Sequence, residues 1–330
     1  MRIHSLEKPS SDELKPLLVS CNFVPFKEYG VQEDLLVNYI TNELSDLISR
    51  KGSVLVAEEQ GKIIGLLSSE KSDWDSSHFG IDISRITHLY ATGDYFESFN
   101  VKQKLISHLQ TKCLSDLSLH VSMRVHKEDL SSIHALESKS FRLMDVLVTY
   151  FFDLRKQNRV KIETQTHVRS FKQEEIPQLA EISRMCFKDN PVATDRFHAD
   201  PTLSSEKSGE LYTKWLIDSC HDLSAAVLVA EVDGKIIGFN ICTINKPLAD
   251  ELGIRLGTIT LTAVIPSERN KLVATSMLNA SLDWFADKVD IVETGGQVSN
   301  YAIQRAWTKT GFNIIRSQCT FHWAVLPESL

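Results

Sequence analysis

The clearest pattern in the chain is an apolar run, a short polar turn and a second apolar run, and it occurs twice. VLVAEEQGKIIG covers Val54–Gly65, and VLVAEVDGKIIG covers Val227–Gly238, with ten of twelve positions identical. The β-branched run predicts a strand, and the next two residues with a glycine, EQG in one copy and VDG in the other, predict a tight turn. Each copy is therefore predicted to form a β-hairpin.

A second match lies at nearly the same spacing along the chain. HALESKSFRL at His134–Leu143 aligns with RAWTKTGFNI at Arg305–Ile314, and each reads as a helix end followed by phenylalanine and a new strand. Matches at two similar shifts indicate a tandem duplication of one α/β unit. We predict domains at 1–156 and 167–330, joined by a polar linker at 157–166.

The second half shows the order of elements within one unit. Its pattern predicts strand, helix, helix, hairpin, strand, helix, strand, helix and strand, which is a mixed α/β (α+β) sheet protein. The last helix has a serine or asparagine at its start and Gly311 at its end. The apolar residues expected to face the core from the first and the long helix are Ile176, Leu179, Ile182 and Cys186, and Leu272, Met277, Leu278, Leu282 and Phe285.

Composition narrows the class of protein. The chain has 330 residues, 42% of them apolar and 24% charged, which is typical of two globular domains. A net charge of −7 argues against a nucleic-acid or membrane-surface binder. The six cysteines form no C-x-x-C pair and have no histidine at metal-ligand spacing, so we expect free thiols and no metal. With no apolar membrane-length run and no signal peptide, we expect a cytoplasmic protein.

The end of the second half carries a further motif. NYAIQRAWTKTGF at Asn300–Phe312 resembles the closing motif N-x-x-[AI]-x-x-x-aromatic-x-K-x-G-F of the Gcn5-related N-acetyltransferase (GNAT) superfamily. The predicted order of elements is also that of the superfamily. The resemblance implies tandem GNAT-like acyl-CoA N-acyltransferase folds.

Three stretches carry a closer resemblance, to the TDP-fucosamine acetyltransferase group. They are DWDSSHFGIDISRI at Asp73–Ile86, RFHADPTLSSEKSGELYTKWLIDS at Arg196–Ser219 and QVSNYAIQRAW at Gln297–Trp307. That group acetylates the 4-amino group of a nucleotide-linked dideoxy sugar. The resemblance implies a small amine as acceptor, plausibly such an amino sugar.

The superfamily resemblance also implies acetyl-CoA as cofactor and a place for it. The pyrophosphate loop of the superfamily, [QR]-x-x-G-x-[GA], matches Arg269–Ala274, but Leu272 replaces its first glycine. Main-chain N–H groups at a helix start suit a pyrophosphate, and leucine is expected to narrow this cradle or to move the loop. The residues that the resemblance assigns to cofactor binding are Thr262, Ala263, Val264, Arg269, Asn270, Lys271, Leu272, Val273, Ala274 and Asn300.

Each of these assignments has a purely structural alternative. The loop is either the phosphate cradle or a plain helix start with two solvated cations. The strand up to Val264 either binds the pantetheine arm or is an ordinary buried strand. Asn300 either touches the cofactor, or caps its helix, or does both.

The sequence does not identify the catalytic acid or the catalytic base. Trp307 stands where the superfamily has its tyrosine acid, and an indole N–H is too weak an acid for that role. Trp307 is then part of the thioester channel or part of the core. A thiolate with an ordinary pKa of about 8.5 can leave without a proton donor. His198, Tyr212 and Glu293, with Asp200, are the candidates for the base, and none is favoured.

The first half lacks the same features. It has no basic, glycine-containing phosphate loop, and Asp129 and Leu136 stand where Asn300 and Trp307 stand in the second half. A carboxylate would repel a phosphate. We therefore expect a degenerate copy, kept for packing or for shaping the acceptor pocket.

Two functions follow as hypotheses. The first is an acetyl-CoA-dependent N-acetyltransferase with its cofactor site in the second half, in which the amine attacks the thioester directly. The alternative is a non-catalytic binding or scaffold protein that keeps the fold. The sequence leaves a homodimer open and predicts no nucleic-acid or membrane partner.

Overall fold

The computed structural model describes the chain in five stretches, residues 1–116, 118, 120–156, 165–189 and 191–325. These residues form two compact units. The first unit comprises Met1–Asp145 together with the chain from Gln318, and the second unit comprises Val146–Ser317. No helix in the described stretches is both long and apolar enough to cross a membrane.

Strands and helices alternate in the same order in both halves of the chain. The first half contains β1 (Arg2–Ser5), α1 (Ser11–Ser20), α2 (Glu33–Ser49), β2 (Ser53–Glu59), β3 (Lys62–Lys71), α3 (Asp73–Phe79), β4 (Ile83–Ala91), α4 (Tyr95–Ser115), β5 (His120–His126), α5 (Leu130–Ser138) and β6 (Arg142–Asp153). The second half contains β7 (His167–Ser170), α6 (Ile176–Ser183), α7 (Ser205–His221), β8 (Ala225–Val232), β9 (Lys235–Asn245), α8 (Lys246–Leu252), β10 (Leu256–Val264), α9 (Val273–Phe285), β11 (Ile291–Gln297), α10 (Tyr301–Thr310) and β12 (Asn313–Ala324).

The repeated segments form the predicted hairpins, β2–β3 and β8–β9. The two turn residues are left-handed in both copies, with φ of 52° and 75° at Gln60 and Gly61 and of 49° and 74° at Asp233 and Gly234. Two left-handed residues in succession make the turn whose twist matches that of the strands. This local geometry explains why the turn sequence is polar residue then glycine in both copies.

Each unit contributes six neighbouring strands of mixed direction. The strand order is β1-β2-β3-β4-β5-β12 in the first unit and β7-β8-β9-β10-β11-β6 in the second. One neighbouring pair is parallel in each sheet, β4 with β5 and β10 with β11, and the other described pairs are antiparallel. The prediction of two mixed α/β folds in tandem is thus confirmed.

The last strand of each sheet comes from the other half of the chain. β6 pairs with β11 from Leu147 to Asp153, and β12 pairs with β5 from Gln318 to Ala324. The boundaries of the units therefore fall inside β6 and β12, whereas the predicted domains 1–156 and 167–330 follow the order of the sequence. Most of the predicted linker, residues 157–164, lies outside the described residues.

Helices cover both faces of the sheet of the second unit. α9 and α10 pack on one face, where Leu278, Leu282 and Phe285 are fully buried, and α6 and α7 pack on the other. The periodicity of α9 is confirmed at Met277, Leu278, Leu282 and Phe285. The expectation that Leu272 faces the core is wrong, because Leu272 precedes the first turn and 38% of it is exposed.

Helix α8 and a π-helical segment have no counterpart in the sequence-based prediction. α8 follows β9 and is capped by Asn245, whose side chain accepts a hydrogen bond from the Leu248 N–H. α6 continues as a π-helix over Arg184–Asp189. π-helical segments occur mostly as single turns and frequently at functional sites.

Candidate functional site

Strands β10 and β11 separate along their length. In the described chain, ladder pairs join only Leu256–Ile259 of β10 to Ile291–Thr294 of β11. The Thr294 hydroxyl donates to the Ile259 carbonyl at 3.1 Å, where the pairing ends. Beyond this point β10 continues to Val264 and pairs only with β9. The edge of β10 that faces the opening can therefore offer main-chain groups to a ligand.

A β-bulge in β10 lies at the start of this opening. The register with β9 shifts between Ile259 and Leu261, so Thr260 is an extra residue, and its hydroxyl donates to the Ile241 carbonyl at 3.4 Å. A bulge bends its strand and increases the local twist, which turns β10 away from β11. The first unit has the same device at Thr87 of β4, where the register with β3 shifts.

The loop after β10 approaches α9 through two left-handed residues. Asn270 and Leu272 have φ of 65° and 64°. Leu272 thus takes the conformation that glycine adopts without strain, and its side chain lies partly in solvent. The predicted replacement of glycine therefore leaves the left-handed backbone in place.

The start of α9 has no side-chain cap and no acidic residue in its first turn. The first intrahelical bond of the helix is donated by the Ser276 N–H to the Leu272 carbonyl at 2.9 Å. The N–H groups of Val273, Ala274 and Thr275 precede it and have no acceptor within the helix. Together with the positive end of the helix dipole, they form a suitable place for an anion.

Two cations flank this helix start. The Arg269 Nε donates to the Val264 carbonyl at 3.2 Å and so ties the loop to the end of β10. The Lys271 ammonium lies 3.1 Å from the Glu268 carboxylate in an exposed pair. Such exposed pairs contribute little to stability, so Lys271 can leave Glu268 for a phosphate at small cost.

Asn300 is the N-cap of α10, which is one of the roles predicted for it. Its side-chain oxygen accepts a hydrogen bond from the Ile303 N–H at 3.4 Å. The Gln304 amide donates to the carbonyls of Gln297 and Val298 at 3.3 and 2.8 Å. These bonds fix the start of α10 against the end of β11.

Trp307 belongs to the core of the second unit. Only 2% of it is exposed, and it packs within the cluster that contains Tyr150, Phe152 and Phe312. Its Nε1 has no hydrogen-bond partner among the described residues. Of the two alternatives for Trp307, the structure therefore shows the core position.

Glu293 is held in an ion pair. The two guanidinium nitrogens of Arg316 lie 2.6 and 2.8 Å from its two carboxylate oxygens, and Glu293 is buried. Both carboxylate oxygens are thus occupied by charge-assisted hydrogen bonds. This contact makes Glu293 a poor candidate for the base.

Tyr212 lies in an aromatic stack on α7. Its ring is 4.6 Å from that of Phe187 and 6.3 Å from that of Trp215, with interplanar angles of 25° and 20°. All three rings are partly buried. The stack packs against the cluster under α6 and α7, which is a structural role.

His198 has a partner that the sequence analysis missed. Its Nδ1 lies 2.8 Å from Oδ2 of Asp195, and Asp195 is buried. The hydrogen bond to Asp195, against the opposing effect of burial, raises the pKa of His198. Asp195 stands three residues before His198, and this short spacing was the only signal in the sequence.

A cysteine lies at the end of the open strand in each unit. The Cys186 thiol donates to the Val264 carbonyl at 3.3 Å, and the Cys21 thiol donates to the Ala91 carbonyl of β4 at 3.8 Å. Burial raises the pKa of Cys186 even though Arg269 acts to lower it. All six cysteines are free thiols, as predicted.

The first unit differs at the two places that matter for an anion. The start of α4 carries a capping box, in which the Asp94 and Glu97 carboxylates accept from each other's N–H groups at 2.9 and 3.0 Å. The Lys102 ammonium lies 2.9 Å from the Asp129 carboxylate in a buried pair. The two carboxylates occupy the N–H groups of Glu97 and Asp94, and their negative charge repels a phosphate.

Comparison with known proteins agrees with this geometry. Residues 187–312 match the acetyltransferase (GNAT) family. No curated protein sequence matches the chain significantly. Among solved structures, a GCN5-related N-acetyltransferase from Sphaerobacter thermophilus superposes with a TM-score of 0.64 at 14% identity, over 98% of this chain and 96% of that one.

Two further structures are similar over most of the chain. A tandem GNAT protein from the clavulanic acid biosynthesis pathway has a TM-score of 0.54 at 13% identity, over 84% of this chain and 83% of that one. A functionally unknown conserved protein from Staphylococcus epidermidis has a TM-score of 0.52 at 13% identity, over 82% and 93%. The predicted enzyme class and the predicted cofactor, acetyl-CoA, are confirmed at the level of the family. Residues 187–312, in the second unit, therefore match the acetyltransferase (GNAT) family, whose enzymes use acetyl-CoA, and the chain as a whole has the fold of tandem GNAT proteins.

Proposed function

We propose that the second unit transfers the acetyl group of acetyl-CoA to a small amine, and that the first unit has lost its cofactor site. One observation carries the proposal. An uncapped helix start, reached through two left-handed residues, directly follows the open end of β10. The matching helix start in the first unit is closed by Asp94 and Glu97.

The chain's own residues would hold the pyrophosphate of the cofactor. The N–H groups of Val273 and Ala274 point out of the helix start, and Lys271 supplies a mobile positive charge. Arg269 keeps the loop on the end of β10. The resemblance assigns Asn270, Leu272 and Asn300 to the same cofactor site.

The open edge of β10 would hold the pantetheine arm and the thioester. Main-chain groups of Thr262, Ala263 and Val264 border the separation from β11. A main-chain N–H aimed at the thioester oxygen stabilises the negative charge that develops when an amine attacks. The bound cofactor supplies an activated acetyl group whose thiolate is a good leaving group. Trp307 of α10 is buried in the core, and a thiolate with an ordinary pKa can leave without a proton donor.

The acceptor is proposed to be a nucleotide-linked amino sugar. Support comes from the resemblance of Asp73–Ile86, Arg196–Ser219 and Gln297–Trp307 to the TDP-fucosamine acetyltransferase group. The free thiols support a reducing compartment, and we keep the cytoplasm as the proposed location. The sequence leaves a homodimer open as a further proposal.

The test of the cofactor site is a matched pair of substitutions at the second position of α9 and of α4. Saturating acetyl-CoA should raise the melting temperature of the wild type, since a ligand that binds only the native state stabilises it. Ala274→Glu should abolish this rise without loss of fold, because a carboxylate suits a helix start but repels phosphate. Phe96→Glu, at the exposed start of α4, should leave the rise unchanged.

A scaffold protein remains the second candidate, favoured by the core position of Trp307, which leaves α10 without the superfamily's acid. This candidate predicts no shift with acetyl-CoA in any variant. An equal shift in wild type and Ala274→Glu would refute the proposed place of the pyrophosphate. A loss with Phe96→Glu instead would move the site to the first unit.

A further inference from the structure

The loop between α6 and α7 contains an aspartate–histidine pair with the geometry of a catalytic base. Oδ2 of Asp195 lies 2.8 Å from Nδ1 of His198, while Oδ1 accepts from the N–H groups of Phe197 and His198 at 2.8 and 3.1 Å. Both carboxylate oxygens are thus occupied. An ionised carboxylate accepts and never donates, so His198 carries its proton on Nδ1 when the ring is neutral.

The second ring nitrogen of His198 is not engaged by Asp195. No hydrogen bond of its Nε2 is present within the described part of the chain, and 23% of the side chain is exposed. A neutral imidazole whose Nδ1–H is held by a buried carboxylate presents Nε2 as a proton acceptor. This differs from Glu293, whose oxygens are both bonded to Arg316.

The loop that carries the pair is held in one conformation. The Ser208 hydroxyl of α7 donates to the Phe197 carbonyl at 3.0 Å, and Ser208 is fully buried. The Asp200 carboxylate accepts from the N–H and the hydroxyl of Thr202 at 2.9 and 2.6 Å. A base fixed by buried bonds loses little entropy when it acts, which favours proton transfer.

Contacts within the second unit connect this loop to the open end of β10. Gly209, next to Ser208, faces Lys188 so closely that a methyl group there would lie 2.9 Å from the lysine Cγ. Lys188 belongs to the π-helical segment, and Cys186 in the same segment donates to the Val264 carbonyl. These contacts link the loop, through α7 and the π-helical segment, to the Val264 carbonyl at the end of β10.

We propose that His198 is the general base that takes a proton from the acceptor ammonium, and that Asp195 is its positioning residue. The inference rests on the proposed function. The N–H bond of the ammonium breaks, its proton goes to Nε2, and its electron pair stays on nitrogen. The freed amine then forms the bond to the thioester carbon, and the C–S bond breaks with its electrons on sulfur. The nitrogen then gives its second proton to the thiolate, which leaves a neutral amide and a thiol, and the imidazolium returns its proton to solvent.

The charges around the pair agree with this role. The hydrogen bond and the charge of Asp195 raise the pKa of His198, which stabilises the imidazolium that forms. Burial acts to raise the pKa of Asp195, but His198 and the two main-chain N–H groups keep it below its usual value. Asp195 is then ionised while the base works.

The test uses the full chain with acetyl-CoA and a dTDP-linked 4-amino-4,6-dideoxy sugar. His198→Gln should lower kcat/KM at neutral pH by a factor on the order of 100 or more, which is typical for a lost general base. The loss should shrink at high pH, where the amine is already neutral. Asp195→Asn should lower kcat, leave the KM for acetyl-CoA unchanged and move the acid limb of the pH profile downward, because the imidazolium loses its partner.

The control is His221→Gln at the exposed end of α7, which should keep the wild-type profile. All three variants should keep the melting shift with acetyl-CoA. Wild-type turnover with an unchanged pH profile in His198→Gln would overturn the base while leaving the proposed function intact. A wild type without the acetyl-CoA shift would instead refute the proposed function.

A second measurement tests the pair without any acceptor. Two-bond ¹H–¹⁵N spectra of the histidine rings should show His198 as the Nδ1–H tautomer above its pKa. Asp195→Asn should release this preference. An Nε2–H tautomer in the wild type would overturn the proposal, because that nitrogen could not accept a proton.

Discussion

The ring of Trp307 lies 5.0 Å from the ring of Tyr150, at an interplanar angle of 47°. Tyr150 is on β6, which the first half of the sequence supplies to the sheet of the second unit. The position that holds the tyrosine acid in the superfamily is thus filled by a core residue, packed on a strand from the other half of the chain. A packed indole leaves no room there for a group that exchanges protons with a substrate.

Replacing this indole tests whether it has a chemical role. Trp307→Phe should cost about 1–3 kcal/mol of unfolding free energy through the cavity that remains. The rate of the acetyl-transfer step, measured in single turnovers below the melting range, should change less than about tenfold. A loss of several orders of magnitude at full folding would show that Trp307 takes part in the chemistry.

The left-handed backbone at Leu272 predicts that glycine is more stabilising than alanine at this position. A side chain in this region costs about 1–2 kcal/mol, and glycine avoids the cost. Leu272→Gly should therefore be more stable than Leu272→Ala by about 1 kcal/mol in urea unfolding. The control is Ala274→Gly, because residue 274 lies inside the helix. There alanine should be more stable than glycine, which is the opposite order. If alanine is the better residue at 272, the loop does not have the conformation described.

β6 and β12 each pair with a strand from the other half of the chain, and this predicts which neighbouring strand a core mutation in β6 or β12 disturbs. Phe321 of β12 and Phe152 of β6 are 1% and 0% exposed. Phe321→Ala should cost about 3–5 kcal/mol and increase hydrogen exchange in β5, which pairs with β12. Phe152→Ala should increase exchange in β11, with β5 less affected.

Each of these two variants is the control for the other. If the domains instead followed the order of the sequence, the result would be reversed. Phe321→Ala would then increase hydrogen exchange in the second half of the chain, and Phe152→Ala would increase it in the first half. Hydrogen exchange read by mass spectrometry resolves the two strands directly.

The Asp195–His198 pair predicts a pH-dependent stability that needs no substrate. His198 has a raised pKa, so its contribution is complete below the unfolded value of about 6.5 and is lost as the pH rises through the folded pKa. Asp195 has a lowered pKa, so its contribution is present above about 3.9 and is lost as the pH falls. The pair therefore stabilises the fold most between about pH 4 and 6.5.

The measurement is the difference in unfolding free energy between wild type and Asp195→Asn. This difference should be larger at pH 6 than at pH 9. Asp218→Asn removes the exposed pair with Lys214 and should show the same small difference at both values. A constant effect of Asp195→Asn across this range would mean that His198 does not titrate against Asp195.

The sequence determined the features that arise from neighbouring residues. The repeated hairpins follow from two strand patterns around a turn that requires left-handed residues. The periodicity of α9 and the N-cap of α10 at Asn300 follow from spacing and from cap chemistry. Duplication of these local signals made the tandem fold predictable from the sequence.

The tertiary structure decided the features that depend on residues far apart in sequence. The pairing of β6 with β11 and of β12 with β5 selects one edge among several similar strands, and no local pattern states that choice. The same holds for Glu293, whose ion pair with Arg316 removes it as a base, and for Trp307, whose place in the core depends on β6. Local propensity and periodicity act over a few residues, whereas strand partners and buried charge pairs are selected by packing of the whole chain.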